Sequence, residues 1–232
     1  MRVKICGITS LDEAKLCIDA GADALGFLVG ITHLAEDKID KKKAREIIEK
    51  IPPYVSTVAV THLTDAEEVI DLCRFINVST VQIHNTMSPE DVVRIKRAAP
   101  AMKIVKTFHV NDQLSMEDIR RFIGIADAIL LDTKTETRLG GTGLTHDWTV
   151  SSRIAKEINV PIILAGGLKP DNLKNALDRV SLLFGVDVNS GVETDGRKDR
   201  CKVKKFIEVA KEYGTLKINY DRSKTYRSND KI

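Results

Sequence analysis

Short apolar runs rich in β-branched residues alternate with amphipathic stretches of helical period along the chain. The apolar runs are Val3–Cys6, Ala24–Val29, Ser56–Val60, Thr80–Ile83, Lys103–Phe108, Ala128–Leu131, Pro161–Ala165 and Leu182–Val188. The helical stretches are Leu11–Ala20, Lys41–Lys50, Asp65–Phe75, Pro89–Ala98, Met116–Ile123, Trp148–Glu157, Pro170–Asp178 and Lys198–Glu212. In the first of these Leu11, Ala14, Leu16 and Ile18 gather near one face while Asp12, Lys15 and Asp19 turn away, as an amphipathic helix requires. Asp12, Glu13, Asp65 and Glu67 put acids at helix starts, where the macrodipole favours them. Strands alternating with helices predict a parallel sheet. Eight unbroken β/α units predict an α/β fold consisting of a single (β/α)8 TIM barrel over residues 1–212. The alternative is an open, doubly wound sheet, which ordinarily has about five to seven strands. Beyond Tyr213 the pattern dissolves, so residues 213–232 are expected to be a polar, mobile or loosely docked extension.

A chain of 232 residues suits one such barrel, whose usual length is about 250. The 36 basic and 33 acidic side chains are spread evenly, too balanced for a nucleic-acid partner, which needs a clustered basic face. Cys6, Cys17, Cys73 and Cys201 form no Cys-x-x-Cys pair and have no metal-ligand spacing, so they read as reduced thiols of a cytoplasmic protein. The start of the chain carries no charged-then-apolar leader. No apolar run approaches the roughly 20 residues a membrane span needs, so no membrane partner is expected.

The candidate chemistry sits in the turns that follow the strands. In a parallel barrel these turns converge on one face, where catalysis takes place. Strand alternation puts Lys4 and Cys6 on one side of the first strand, and Ala128, Leu130 and Asp132 on one side of the sixth. A thiol and a carboxyl across a pocket can work as a base and acid pair once their environments set their pKa values. Equally, Cys6 could be a buried thiol and Asp132 a turn residue. Gly166 and Gly167 end the seventh strand; Asn189, Ser190 and Gly191 end the eighth. Barrels often build a phosphate site from these two loops, where glycine lets the backbone approach the anion. A pair of ordinary tight turns is the plain alternative. Gly140 to Gly143, including Gly141 and Gly143, read as a lid loop or a linker. Gln82 and His84 end the fourth strand, while His33, His62 and His109 lie near other strand ends; as scattered histidines they give no metal site. Trp148 reads as a packing residue at a helix start and Asp147 as its cap. Gly-x-Gly-x-x-Gly is missing, so nothing favours a dinucleotide.

Lys4-Ile5-Cys6-Gly7-Ile8-Thr9, Gly21-Ala22-Asp23-Ala24-Leu25-Gly26-Phe27, Val81-Gln82-Ile83-His84, Leu130-Leu131-Asp132-Thr133, Gly140-Gly141-Thr142-Gly143 with Asp147-Trp148, Leu164-Ala165-Gly166-Gly167-Leu168 and Gly185-Val186-Asp187-Val188-Asn189-Ser190-Gly191-Val192-Glu193 occur in this order. Together, over roughly residues 1 to 212, they resemble the phosphoribosylanthranilate isomerase family of tryptophan biosynthesis. The resemblance implies a cofactor-free Amadori rearrangement of a phosphorylated small molecule. Asp132 would be the general acid that opens the ribose ring and Cys6 the base that removes the C2 proton. Gly166, Gly167, Ser190 and Gly191 would hold the phosphate, and Gly140 to Gly143 would be the closing loop. Lys4, Gln82, His84, Gly141, Gly143 and Asn189 complete the expected substrate-binding set. A second copy of the chain is the candidate protein partner.

The chain departs from that pattern where the aromatic ring would bind. The family usually carries Lys-Ser-Pro-Arg after Gly-Phe, with an arginine suited to the anthranilate carboxylate; here residues 28–38 hold no arginine and offer only His33 and Lys38 as cations. His62 stands where Phe-Val-Asn is common, Asn85 where Gly is usual, and His109 where Arg is frequent. Charge-assisted hydrogen bonds contribute about 1.5–3 kcal/mol, so losing the clamp would weaken binding roughly tenfold to a hundredfold. Two other readings therefore stay open: a paralogous isomerase or epimerase of another phosphosugar, and a non-catalytic phosphometabolite-binding protein.

Overall fold

The structure is a computed structural model that describes the chain except residues 33–36, 112, 136–137, 140–146 and 226–232; side chains are also left out at 134–135, 138–139 and 215–225. Eight parallel strands close on themselves: β1 (Arg2–Ile5), β2 (Ala24–Leu28), β3 (Ser56–Thr61), β4 (Thr80–Ile83), β5 (Lys103–Val110), β6 (Ala128–Thr135), β7 (Ile162–Leu164) and β8 (Gly185–Val188). Neighbours in sequence pair side by side, and β8 returns to β1 with Lys4 opposite Asp187. The helices α1 (Leu11–Asp19), α2 (Lys41–Ile48), α3 (Ala66–Ile76), α4 (Pro89–Ala98), α5 (Met116–Arg120), α6 (Trp148–Glu157), α7 (Pro170–Arg179) and α8 (Arg200–Thr225) follow the strands in turn. Side-chain caps start most of them: Ser10, Asp40, Asp65, Ser88 and Ser115 each accept a backbone N–H of the first turn. Asp147 caps α6 in the same way, and Trp148 is buried beside it.

Alternation along the strands separates two cores. One set of side chains, including Ile5, Phe27, Ile83, Ile104, Ile129 and Val186, packs outward against the helices in one large cluster. The opposite set fills the barrel in two small clusters. Cys6, Val58 and Val60 form one, and Val105, Ala128, Leu130 and Ala165 the other. Lys4, Gln82, Thr107 and Asp187 are buried at positions of the same inward alternation. The barrel is thus apolar against its helices and partly polar inside.

The N-terminal face is tied by a repeated device. Asp23, just before β2, accepts the N–H of Val3 in β1 and pairs with Arg2 and with Lys211 of α8. Four strands on, Asp127, just before β6, accepts the N–H of Ile104 in β5 at 2.9 Å and pairs with Lys103 and with Lys96 of α4. In each case one carboxylate joins a strand, the next strand and the helix that comes before the first of them around the barrel.

Among the boundaries that differ from the sequence reading are the extension of β6 from Leu131 to Thr135, which puts Asp132 inside the strand, and three near the end of the chain. The expected eighth strand from Leu182 begins only at Gly185, because Leu182 has φ +64° in an exposed turn and Phe184 is exposed as well. Lys198 is not the start of the last helix but a buried residue of a two-stranded ribbon, Glu193–Thr194 with Arg197–Lys198. The last helix does not stop near residue 212: it continues to Thr225. Tyr213 donates to the Leu177 carbonyl at 2.7 Å, and Gly214 is buried against the chain start, where a Cβ would meet Met1. The barrel body therefore includes Tyr213 and Gly214.

The cluster at Asp127 generates a stability prediction. The bonds from Lys96, Ile104 and Lys103 hold its carboxyl below the ordinary 3.8, against the opposing effect of partial burial. A lowered pKa stabilises the fold above the unfolded value and loses that contribution as pH falls through the folded one. Asp127→Ala should cost roughly 1–2 kcal/mol at pH 7, the exposed Lys103 contact adding little. Denaturant titrations should show the gap narrowing below about pH 4; an equal gap at pH 7 and pH 3 would rule out the ionic contribution.

Candidate active site

Strand β1 carries Lys4 and Cys6 into the barrel, and Gly26 on β2 makes room for them. A Cβ on Gly26 would lie 2.8 Å from Cys6 Sγ and 2.9 Å from Lys4 Cε. From the other side β8 brings Asp187, and Lys4 Nζ donates to its Oδ2 at 2.8 Å, with only 8% of each side chain exposed. Lys4, expected to touch substrate, thus has its ammonium committed to a buried ion pair. Burial pushes the Cys6 thiol up to about 11, against the pull of Lys4, so the sulfur holds its proton at neutral pH.

On β6 Asp132 reaches the same end of the barrel. Its Oδ1 accepts the Thr133 N–H at 2.7 Å, and His84 Nε2 lies 3.5 Å from Oδ2. Burial raises its pKa to about 7, so a large share of the carboxyl groups carry a proton at neutral pH. Burial holds His84 well below its usual value, and His109, His62, Lys4 and Lys106 lower it further. Gln82 supports the ring, its amide nitrogen 3.2 Å from His84 Nδ1. His62 stacks on His84 at 5.5 Å between centroids, and His109 meets it edge-on at 4.9 Å.

The sequence reading left these histidines scattered. The structure brings His62, His84 and His109 together because they end the consecutive strands β3, β4 and β5 at inward positions. One atom each of His84, His109 and Asp132 lie within 4.8 Å of one another, close enough to hold a metal ion. The signal was present in the alternation of Val60 and His62, Gln82 and His84, and Thr107 and His109. Only strand order makes it a cluster.

A cavity of about 770 Å³ opens beside the histidines, its wall including Thr32, Leu63, Lys106, Phe108 and Arg121. Lys106 is a buried cation missed by the sequence reading. Its Nζ donates to the carbonyls of Asn85 at 2.6 Å and Thr107 at 2.7 Å, and lies 4.8 Å from the Phe108 ring centroid. Burial lowers its pKa to about 8. Lys38, expected to compensate for the missing arginine, is exposed; His33 lies outside the described residues.

The two late glycine turns touch each other. Gly166 and Gly167 have φ +84° and +64°, which favours glycine, and a Cβ on Gly166 would run into Thr133. Gly191 lies in the short turn Ser190–Val192, where a Cβ would strike the Leu168 carbonyl. Asn189 has its amide occupied: Nδ2 donates to Asp37 at 2.5 Å, and Oδ1 accepts from the buried Lys198 at 2.7 Å. It therefore ties the segment after β2 to the turn after β8. Gly141 and Gly143, with the rest of the expected lid, lie outside the described residues. Among the described residues no helix is long and apolar enough to cross a membrane.

This geometry can be set beside known proteins. A family model described as N-(5'phosphoribosyl)anthranilate (PRA) isomerase matches residues 3–209. N-(5'-phosphoribosyl)anthranilate isomerase 2 of Methanosarcina mazei is 41% identical over 214 residues, covering 91% of this chain and 94% of its own. The crystal structure of phosphoribosyl anthranilate isomerase from Thermotoga maritima superposes with a TM-score of 0.78 at 34% identity, over 91% of this chain and 99% of that one. A further Thermotoga maritima structure, of monomers generated from the dimeric enzyme, has a TM-score of 0.74 at 32% identity, over 91% and 99%. With one family model spanning nearly the whole barrel and relatives above 30% identity along it, the chain belongs to the N-(5'-phosphoribosyl)anthranilate isomerase family.

Proposed function

We propose that this isomerase carries out its Amadori rearrangement with Asp132 as general acid and Cys6 as general base. The observation that carries the assignment is the convergence of these two buried groups, from β6 and β1, on the Lys4–Asp187 pair beside the touching glycine turns. Family membership favours this reaction over the other phosphosugar reactions and the non-catalytic binder left open by the sequence.

Asp132 gives its proton to the ribose ring oxygen. The C1–O bond breaks, and the anilino nitrogen lone pair forms the C1=N bond of a cationic Schiff base. Cys6, acting as thiolate after its own proton has left to solvent, takes the proton from C2; the C2–H electrons become a C1=C2 bond, and those of the C1=N bond return to nitrogen. The enol so formed is the tautomer of the aminoketose. C2 is oxidised and C1 reduced within one molecule, which makes the enzyme an intramolecular oxidoreductase of the aldose–ketose type. The residues described here supply both proton transfers without a cofactor. Gly167, Ser190 and Gly191 hold the phosphate through backbone N–H groups, and Gly166 lets that turn pack on Thr133.

Cys6→Ser and Asp132→Asn should each lower kcat by at least about a hundredfold, the usual contribution of one acid or base. Affinity for inorganic phosphate should stay near that of the unaltered protein in calorimetry. Undiminished turnover in Cys6→Ala would remove the assigned base.

Lys106 is assigned as the cation that faces the anthranilate carboxylate in place of an arginine. It offers a point charge, not a guanidinium fork, so binding is weaker than a bidentate clamp would give. Lys106→Met should raise KM roughly tenfold with a smaller change in kcat. If KM is unchanged, the carboxylate is held elsewhere.

The chain is further assigned as a homodimer through its N-terminal face. Tyr54, Ile123, Leu182 and Phe184 are exposed large apolar side chains, and all stand in the segments entering β3, β6 and β8 on that face. Sharing that face, they make it the candidate surface for a second copy. The dimeric form named for the Thermotoga maritima relative supports the same reading. Sedimentation should give twice the chain mass, and Tyr54→Glu with Phe184→Glu should give the chain mass; a monomer at all concentrations would defeat the assignment.

A further inference from the structure

The histidine cluster has a geometry that proton transfer does not use. Zinc bonds to imidazole and carboxylate run about 2.0–2.2 Å, which sets neighbouring ligand atoms of a tetrahedral site roughly 3.3–3.6 Å apart. His84 Nε2 and Asp132 Oδ2 stand at 3.5 Å. The third ligand atom, from His109, completes a triangle no wider than 4.8 Å, so closure on an ion needs a movement of roughly an ångström.

The surroundings also supply the support a ligating histidine needs. A metal-bound imidazole ordinarily donates its other N–H to a neighbouring acceptor, which selects the tautomer. Gln82 Nε2 lies 3.2 Å from His84 Nδ1, and Gln82 Oε1 is buried with no hydrogen-bond partner. The amide oxygen and nitrogen have nearly the same shape, and a half-turn exchanges them. After it Oε1 accepts from Nδ1–H, and the Nε2 lone pair points toward Asp132. Gln82 therefore has the right atom for either state of the ring.

We propose that His84, His109 and Asp132 form a site for one borderline divalent cation of the zinc class, and that its occupation stops the isomerase. Two imidazoles and a carboxylate favour zinc, cobalt or nickel over magnesium and calcium, which take all-oxygen sets. Occupation takes the Asp132 oxygen that would otherwise carry the proton. The loss of activity rests on the acid assignment above; the binding itself does not.

Chelator-treated protein would be titrated with Zn2+ by calorimetry and with Co2+ by visible absorption, alongside turnover assays. The expected result is one site per chain, activity falling in step with occupancy and returning with EDTA, and no effect of Mg2+. His109→Phe and the milder His109→Gln should abolish the Co2+ spectrum. Their turnover, relative to each variant's own metal-free rate, should need at least tenfold more Zn2+ to fall. Gln82→Leu should weaken binding roughly tenfold to a hundredfold. Both His109 variants titrating like the parent, or loss of the site in Cys6→Ser or Cys201→Ser, would overturn the proposal. Binding through His109 that leaves turnover untouched would overturn the inhibitory role. A chain that binds Co2+ through His109 yet never turns over phosphoribosylanthranilate would instead defeat the functional reading while supporting the site.

Discussion

The buried ion pair between Lys4 and Asp187 holds the centre of this barrel. Two charges at 2.8 Å, each almost out of solvent, are tolerable only together, and removing one partner of such a pair typically costs about 3–5 kcal/mol. The pair constrains what surrounds it. Gly26 has no side chain because Lys4 and Cys6 occupy that space. The pair also acts on both proton-transfer groups in the same sense: Lys4 lowers the pKa of Cys6 and of Asp132, and Asp187 raises both. Asp187 Oδ1, buried without a hydrogen-bond partner, leaves part of its negative charge uncompensated.

Burial, more than that field, puts the resting protons in an order that the reaction must reverse. With the thiol near 11 and Asp132 near 7, the carboxyl loses its proton before the thiol does. That order makes the productive arrangement, thiolate with protonated acid, far rarer than its opposite. The chemistry supplies the correction. Proton donation by Asp132 creates a cationic Schiff base beside Cys6, and a nearby positive charge stabilises thiolate while acidifying the C2 proton. Acid catalysis thereby generates the charge that base catalysis needs, and Lys4 adds a smaller pull in the same direction.

Strand periodicity was enough to read the barrel, its eight strands, and which residues share a side with Cys6 and with Asp132, because a two-residue repeat shows in one strand at a time; that the shared side faces inward took the closed barrel. The histidine cluster needed a second kind of information. His62, His84 and His109 lie more than twenty residues apart and meet only when β3, β4 and β5 are laid side by side. Lys106 escaped for a related reason. It alternates outward with Ile104 and Phe108, yet its long stem returns the ammonium to the Asn85 carbonyl at the barrel rim. The end of the last helix was misplaced because the amphipathic pattern dissolves from Gly214. In the structure that glycine is small so that the helix can pass Met1. Asn189 looked like a substrate contact, but its amide links Asp37 to Lys198.

The same residue type serves opposite purposes at the two ends of the barrel. Asp23 and Asp127 at the N-terminal face are wrapped in cations and backbone N–H groups, and their pKa values fall. Asp132 at the C-terminal face is buried with one backbone donor and a neutral histidine, and its pKa rises. By linkage the first two stabilise the fold at pH values above the ordinary carboxylate range. Asp132 behaves the other way: its protonated form suits the folded state, and that preference is lost as pH rises through about 7. Near neutral pH the barrel is therefore stabilised by carboxylates at one face and strained by a carboxylate at the other. An acid that can protonate a sugar oxygen must be held where its charge is unwelcome. The N-terminal clamps, remote from the chemistry, can stay fully ionised and offset that cost without dampening it.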